Sequence, residues 1–450
     1  MHPKLIILIL VLAFSANAAT YYVATNGNDT AAGSQGAPWA TLAKAAGVVN
    51  AGDTVIIANG YYGELITLSR HGALGNPIQW QGESLAANVK RFTVNANHNI
   101  ITNLTIGPPV GVYDWGVKFG AASRSNELVG CRFDYNGLVT NQTSGGVWVD
   151  GTNNVVRACQ FFRMNQNTVI DLHGTGNLVT RCVATNHNAV DFCRAFGWNN
   201  TVSFNEYAHA TYTSGNHPDF IQTFGDNYDS ATNIVIEGNY VHDAVTQLCH
   251  LERTHDAADI HTFVFRNNVF ANIESMGFTY VPHTKFYNNV FYRVGYGNGD
   301  GAMILGWSVN YPDGGGATSN ELKNNVFLEC GTSPGSATKG WWYVNTARGG
   351  ALTVLSDYNY FGGTGYAAKT GFPDVHAVNG GDPKLASTNT FTLLAGSPLI
   401  DAGTNLTSFT TDKAGNTRPA GSAWDIGAYE LIGGGALAPP SKPAWLQQVR

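Results

Sequence analysis

One short pattern of side chains recurs along the chain. β-Branched or apolar residues lead to a small or polar position, and an aromatic or apolar residue follows. It reads Ile101-Thr102-Asn103-Leu104, Val129-Gly130-Cys131-Arg132-Phe133, Arg157-Ala158-Cys159-Gln160-Phe161 and Thr180-Arg181-Cys182-Val183. It continues as Ser203-Phe204-Asn205-Glu206-Tyr207, Glu237-Gly238-Asn239-Tyr240, Asn267-Asn268-Val269-Phe270, Asn288-Asn289-Val290-Phe291, Asn324-Asn325-Val326-Phe327 and Tyr358-Asn359-Tyr360-Phe361. With the Asn or Cys as marker, at 103, 131, 159, 182, 205, 239, 268, 289, 325 and 359, the intervals are 28, 28, 23, 23, 34, 29, 21, 36 and 34 residues. The shortest intervals set the minimal coil, and the longer ones add loops to it.

Such a repeat predicts a solenoid of short strands joined by bends. One coil cannot bury its own apolar face, whereas a stack buries a continuous core. Coils lie about 4.8 Å apart, so each backbone group pairs with the coil above or below. Asn at the marker suits a tight left-handed bend, and stacked Asn side chains hydrogen-bond to one another. Cys131, Cys159 and Cys182 take the place of Asn in this column and read as core packing, because parallel stacked side chains have poor disulfide geometry. The pairing of Cys193, Cys249 and Cys330 stays open. The predicted fold is all-β, a right-handed parallel β-helix over residues 19–432.

Composition agrees: 53 Gly and only 12 % charged residues among 450 point to a turn-rich β-protein. The net charge of −6, with no Lys/Arg cluster, excludes nucleic acid as a natural partner. At the start, Lys4, the apolar run Leu5 to Phe14 and the small residues Ala16 and Ala18 predict a signal peptide over residues 1–18. The run is too short for a bilayer, which takes roughly 20 residues. The expected location is therefore secreted or periplasmic. Residues 433–450, rich in Gly and Pro, read as a flexible tail.

Alternation then assigns faces. In Val147-Trp148-Val149-Asp150 the valines point inward and Trp148 and Asp150 outward. In Ile170-Asp171-Leu172-His173, Asp171 and His173 point outward. Asp191 follows in the next coil, then His217-Pro218-Asp219-Phe220-Ile221-Gln222, then His250-Leu251-Glu252-Arg253, then Phe278-Thr279-Tyr280. Asp150, Asp171, Asp191, Asp219 and Glu252 are expected to form an acidic column, with histidines 173, 187, 217, 250 and 255 around it. Stacked like charges repel, so the column implies a bound cation, raised carboxyl pKa values or wide separation. Trp148, Trp198 and Tyr280 are candidate sugar-stacking surfaces.

The ends of the chain carry a family resemblance. Tyr21-Tyr22-Val23-Ala24-Thr25-Asn26-Gly27-Asn28-Asp29, Pro38-Trp39-Ala40-Thr41-Leu42 and Ala51-Gly52-Asp53-Thr54-Val55 resemble the N-terminal cap of secreted pectate-lyase-like β-helix proteins. This resemblance implies a short capping helix over residues 40–50. Gly60-Tyr61-Tyr62-Gly63-Glu64 and Gly75-Asn76-Pro77-Ile78 resemble the first coils of alginate lyases and chondroitinase B. Ser397-Pro398-Leu399-Ile400-Asp401-Ala402-Gly403 and Asp425-Ile426-Gly427-Ala428-Tyr429-Glu430 resemble the closing segment of many bacterial β-helix proteins. The His-x-Asp-x-x-Gln sequence at 217–222 is similar to a motif of secreted carbohydrate-active β-helices.

The resemblance implies a polysaccharide lyase acting on an acidic polymer, most simply as a monomer. Such an enzyme removes the proton at C5 of a uronic acid after neutralising the carboxylate. Ca²⁺ held by Asp171, Asp191 and Asp219 is the expected neutralising ion, while the neighbouring histidines keep Zn²⁺ open. The expected catalytic set is His217, Asp219, His250, Arg253 and Arg194. Trp148, His173, Gln222, Glu252 and Tyr280 are expected to bind substrate. The sequence departs from the alginate-lyase pattern in having no Lys between Lys118 and Lys285. A glycoside hydrolase needs only two carboxylates, but the Gly-His-Gly turn of polygalacturonases is absent. A uronate epimerase lacks its Asp-Pro-His order, because here it is His217-Pro218-Asp219. A non-catalytic glycan-binding helix is the remaining alternative, and the His/Asp concentration argues against it.

Overall fold

The computed structural model describes residues 18–108, 114–137, 144–165, 168–212, 217–224, 230–252, 259–275, 277–296, 303–305, 319–330, 342–344, 354–363 and 374–433. The signal-peptide expectation falls outside these residues except at Ala18, the tail expectation falls outside them beyond Gly433, and Arg253 and His255 also lie outside.

Each coil contributes three strands, as in Leu178–Thr180, Val183–Thr185 and Asp191–Ala195. Every pairing between coils is parallel and joins equivalent positions. Thr180 faces Ser203, Thr185 faces Ala208 and Cys193 faces Ile221. Among the described residues the strands form a 14-stranded sheet and a 22-stranded sheet that contains two ladders. This is the right-handed parallel β-helix that the repeat predicts.

The core is a continuous apolar column. Phe133, Phe161 and Ala184 stack along one ladder, Val147, Ile170 and Cys193 along the next, and all are fully buried or nearly so. All six cysteines are buried and free, so Cys131, Cys159 and Cys182 pack as the sequence suggests and Cys193, Cys249 and Cys330 have no disulfide partner.

From Asn205 onward the column is a hydrogen-bond ladder. The Asn205 amide N–H donates to Asn239 Oδ1 at 2.9 Å, Asn239 to Asn268 at 2.9 Å, Asn268 to Asn289 at 3.0 Å, Asn289 to Asn325 at 3.0 Å and Asn325 to Asn359 at 2.8 Å. The left-handed residue is not the ladder Asn but the one before it: φ is +54° at Phe204, +54° at Asn267, +54° at Asn288 and +58° at Asn324. Asn103 (φ +55°) belongs to this bend position, and Leu104 is its core neighbour, so the first marker of the repeat is displaced by one residue. A second ladder, Asn99, Asn126, Asn154, Asn177 and Asn200, opens the strands of the 14-stranded sheet. Its sequence signal is an Asn five residues before each marker from Cys131 to Asn205.

The helix Leu42–Val48 closes the N-terminal end with Leu42 and Ala45 buried, a little shorter than the span expected. Thr41 caps it by accepting from the Lys44 N–H, and Glu64 accepts from the N–H groups of Leu42 and Ala43. The described part of the C-terminal segment packs against the side of the coils. It runs back along the outside, where Phe391, Leu393, Leu399, Ile426 and Tyr429 cover the outward Val269, Val290, Val326 and Tyr360.

Candidate functional site

The site grows from an irregularity in one ladder. Its strands read polar-apolar-apolar-polar: Thr168-Val169-Ile170-Asp171, Asp191-Phe192-Cys193-Arg194, Asp219-Phe220-Ile221-Gln222 and Gln247-Leu248-Cys249-His250. Both middle residues are in the core, so both polar residues lie on the outer side. Two parallel rows result. One holds Thr168 opposite Asp191 and Asp219 opposite Gln247. The other runs Lys118, Trp148, Asp171, Arg194, Gln222, His250 and Phe278.

The acidic residues are therefore not one column. Asp171 stands beside Arg194 rather than Asp191, and Glu252 lies beyond the end of its strand. Strict two-residue alternation missed this because each strand turns two consecutive apolar side chains into the core.

Asp219 is fully buried beneath the surface. Its Oδ2 lies 3.0 Å from His217 Nδ1, and its own N–H donates to Asp191 Oδ1 at 3.0 Å. Its Oδ1 is buried with no hydrogen-bond partner among the described residues. Burial pushes the Asp219 carboxyl up to about 7, with the Asp191 charge adding to the rise and His217 opposing it. The hydrogen bond to Asp219 raises His217. Half of the His217 side chain is exposed, and its contact with Asp219 engages Nδ1.

Arg194 donates from Nε to Asp191 Oδ2 at 2.9 Å. The adjacent Asp191 and Asp171 charges outweigh burial and raise it, which makes Arg194 a fixed cation and a poor base. His250 Nε2 lies 2.8 Å from Glu252 Oε1, and this contact holds Glu252 below its ordinary range. The His217 and His250 rings are 5.1 Å apart. Gln222, half-buried, stands between Arg194 and His250. A cleft of about 250 Å³ opens beside His217, lined also by Tyr212, Thr246, Gln247 and Glu274. Gln247, Tyr212 and Glu274 were not expected from sequence. The polar-apolar-apolar-polar repeat is a signal for Gln247, whereas nothing local marks the other two.

Other expected residues have different roles. Trp148 is stacked on His173 with centroids 4.4 Å apart, and His173 is stacked on Phe196 at 4.8 Å. Neither ring offers that covered face to a sugar. Tyr280 is buried edge-on against His250. Trp198 is exposed but pairs within the 14-stranded sheet, away from the row. His187 is buried inside the turn, where it accepts from the Met164 N–H and desolvation pushes it down to about 3, so it packs rather than reacts.

The donor set does not suit Ca²⁺. Asp191 is occupied by Arg194 and by the Asp219 N–H, and Asp171 is on a different row from Asp191 and Asp219. Ca²⁺ takes six to eight oxygens. Among the described residues the donors that converge, within 4.8 Å of one another, are those of His217, Asp219 and His250. Two imidazoles and one carboxylate suit a transition metal better than Ca²⁺.

Residues 25–67 match a family described as "Protein of unknown function (DUF1565)". None of the curated proteins matches the chain. Among solved structures, XylC in complex with xylose aligns over 93 % of this chain and 99 % of its own at 10 % identity, with a TM-score of 0.57. The pectate lyase Pel9A aligns over 92 % and 97 % at 17 % identity, with a TM-score of 0.51. These likenesses show the β-helix fold. A mannuronic acid-specific family 6 polysaccharide lyase from human gut microbiota aligns over 74 % and 78 % at 14 % identity, with a TM-score of 0.46. Among the described residues no helix is long and apolar enough to cross a membrane.

Proposed function

We propose that the protein is an exported polysaccharide lyase that cleaves a uronic-acid-containing polymer by β-elimination. The observation that carries this reading is the pair formed by the buried Asp219 and the exposed His217 beside the Arg194–Gln222 stretch of the outward row. Arg194 and Gln222 take the substrate carboxylate, and the cation stabilises the charge that develops as C5 loses its proton. His217, oriented through Nδ1 by Asp219, is the base at Nε2. The electron pair left on C5 forms the C4–C5 double bond as the C4–O bond breaks. His250, in contact with Glu252, gives the leaving oxygen its proton. The likeness to Pel9A, a pectate lyase, fits this chemistry.

The test is to incubate the purified chain with a panel of acidic and neutral polysaccharides, following ultraviolet absorbance of unsaturated uronate together with new reducing ends. A rise in both on an acidic polymer is expected, with the same rate in EDTA and in Ca²⁺. Silence of the ultraviolet signal on every acidic polymer overturns the lyase.

One observation favours a second reading. Asp219 is pushed up and Glu252 held down, and two carboxyls moved apart in this way are the acid and the base or nucleophile of a glycoside hydrolase. Reducing ends without ultraviolet absorbance would select it.

A further inference from the structure

The row that contains Arg194 extends beyond the reacting centre. Three coils away it carries a second cation, Lys118, paired in register with Trp148, which in turn faces Asp171 and then Arg194. At about 4.8 Å per coil, Lys118 and Arg194 stand roughly 14 Å apart along the helix axis. More than one sugar ring is needed to span that distance.

Lys118 is held in place by an aromatic ring instead of an acid. Its Nζ lies 5.2 Å from the centroid of Trp148, and Trp148 is backed by His173 and by the edge of Trp115. This stack fixes the indole, and the indole fixes the ammonium. Among the described residues Lys118 makes no ion pair: Asp114 in the same coil is bound to Arg91, and Asp171 contacts His173. The segments 109–113 and 138–143, which precede this strand and the next, contain no Asp or Glu. A half-buried cation on a chain of net charge −6, supported by an aromatic and lacking a carboxylate, is arranged to receive an anion from outside.

We infer that Lys118, presented by Trp148, is a remote subsite for the carboxylate of a second uronic acid in the same polymer. It fixes the substrate parallel to the helix axis while Arg194 and Gln222 hold the sugar that reacts. This rests on the acidic-polymer reading above and adds to it a minimum chain length and an axial direction. Trp148 then acts by holding Lys118, which is why its covered ring is consistent with a role in binding.

The test compares wild type with Lys118→Ala and Lys118→Arg, using calorimetric binding of a uronate polymer, of the same polymer with its carboxyls reduced to alcohols, and of a uronate disaccharide. Losing one charged contact should weaken polymer binding by about tenfold in Lys118→Ala. Lys118→Arg should restore most of it, the carboxyl-reduced polymer should show no difference between wild type and variant, and the disaccharide should be indifferent to the substitution. Where turnover is measured, KM rises for the polymer and kcat is unchanged. Equal polymer affinity in wild type and Lys118→Ala overturns the subsite and leaves the lyase reading intact. Failure of wild type to bind any uronate polymer overturns both. A melting curve for Lys118→Ala that matches wild type keeps the comparison free of folding effects.

Discussion

Asp219 is held between two opposed influences. Burial favours its neutral form and His217 favours its charge, and burial wins, so the carboxyl is pushed up to about 7. Asp219→Asn keeps the shape but replaces the carboxylate that orients His217 with a neutral amide, whose NH2 group can turn to Nδ1 and select the other tautomer, and activity should fall about 10³-fold with little change in KM. The same substitution has a linkage consequence. An unfolded Asp loses its proton near 3.8, whereas the folded one holds it to about 7, so the folded state binds more protons across that window and wild-type stability falls as pH rises through it. The stability of Asp219→Asn relative to wild type should therefore be greater at pH 8 than at pH 5, as measured by urea unfolding at each pH. The converging donors of His217, Asp219 and His250 make a further prediction. Added Zn²⁺ should inhibit by drawing His217 and His250 to the metal, EDTA should reverse the inhibition, and Ca²⁺ should have no effect. Zn²⁺-independent rates would count against His217 as base. At this scale the sequence was informative about residue type: His217, Asp219, Arg194, Gln222 and His250 do converge. It was uninformative about Asp171 and Trp148, because which neighbour each meets depends on inter-coil register, and register is set by contacts between residues more than twenty positions apart.

The coil was legible because one side-chain column repeats without interruption from Cys131 to Asn359. What was misread was the division of labour within the Asn-Asn doublets. In 267–268, 288–289 and 324–325 the first Asn takes the left-handed bend and the second joins the buried ladder. Sequence alone does not separate two adjacent identical residues. Their environments predict different sensitivities. Asn268→Ala leaves the Asn239 N–H without its partner in the core and takes one donor from the Ile236 carbonyl, a cost of about 2–3 kcal/mol. Asn288→Ala removes contacts to the Asp425 and Gly427 carbonyls and trades one left-handed residue for a poorer one, about 1–2 kcal/mol. Chemical denaturation of the two variants should rank them in that order, and the reverse order would refute the assignment of roles.

Across the whole molecule the C-terminal segment is the element whose placement sequence did not show. Its closing motifs were legible, but not that they lie lengthwise along the outside, since nothing local encodes which distant surface a segment covers. The bend residues Asn267, Asn288 and Asn324 hold it through the carbonyls of Thr411, Asp425 and Thr404, and the buried Arg418–Glu430 pair at 2.5 Å ties its own turns together. Leu399 is fully buried in this contact, and Leu399→Ala should cost about 2–4 kcal/mol. In a bare solenoid each coil feels only its neighbours, so melting can start at an end and travel coil by coil. A segment that touches residues 267, 288 and 324 at once ties three successive coils together and links the first of them to the third, which it does not otherwise touch. The coils beneath it therefore come apart together or not at all. Those bearing Asp171 and Asp191 lie between that cooperative block and the helix-capped end, like a span held at one side by a clamp, and hydrogen exchange should find them opening more readily than the coils the segment binds.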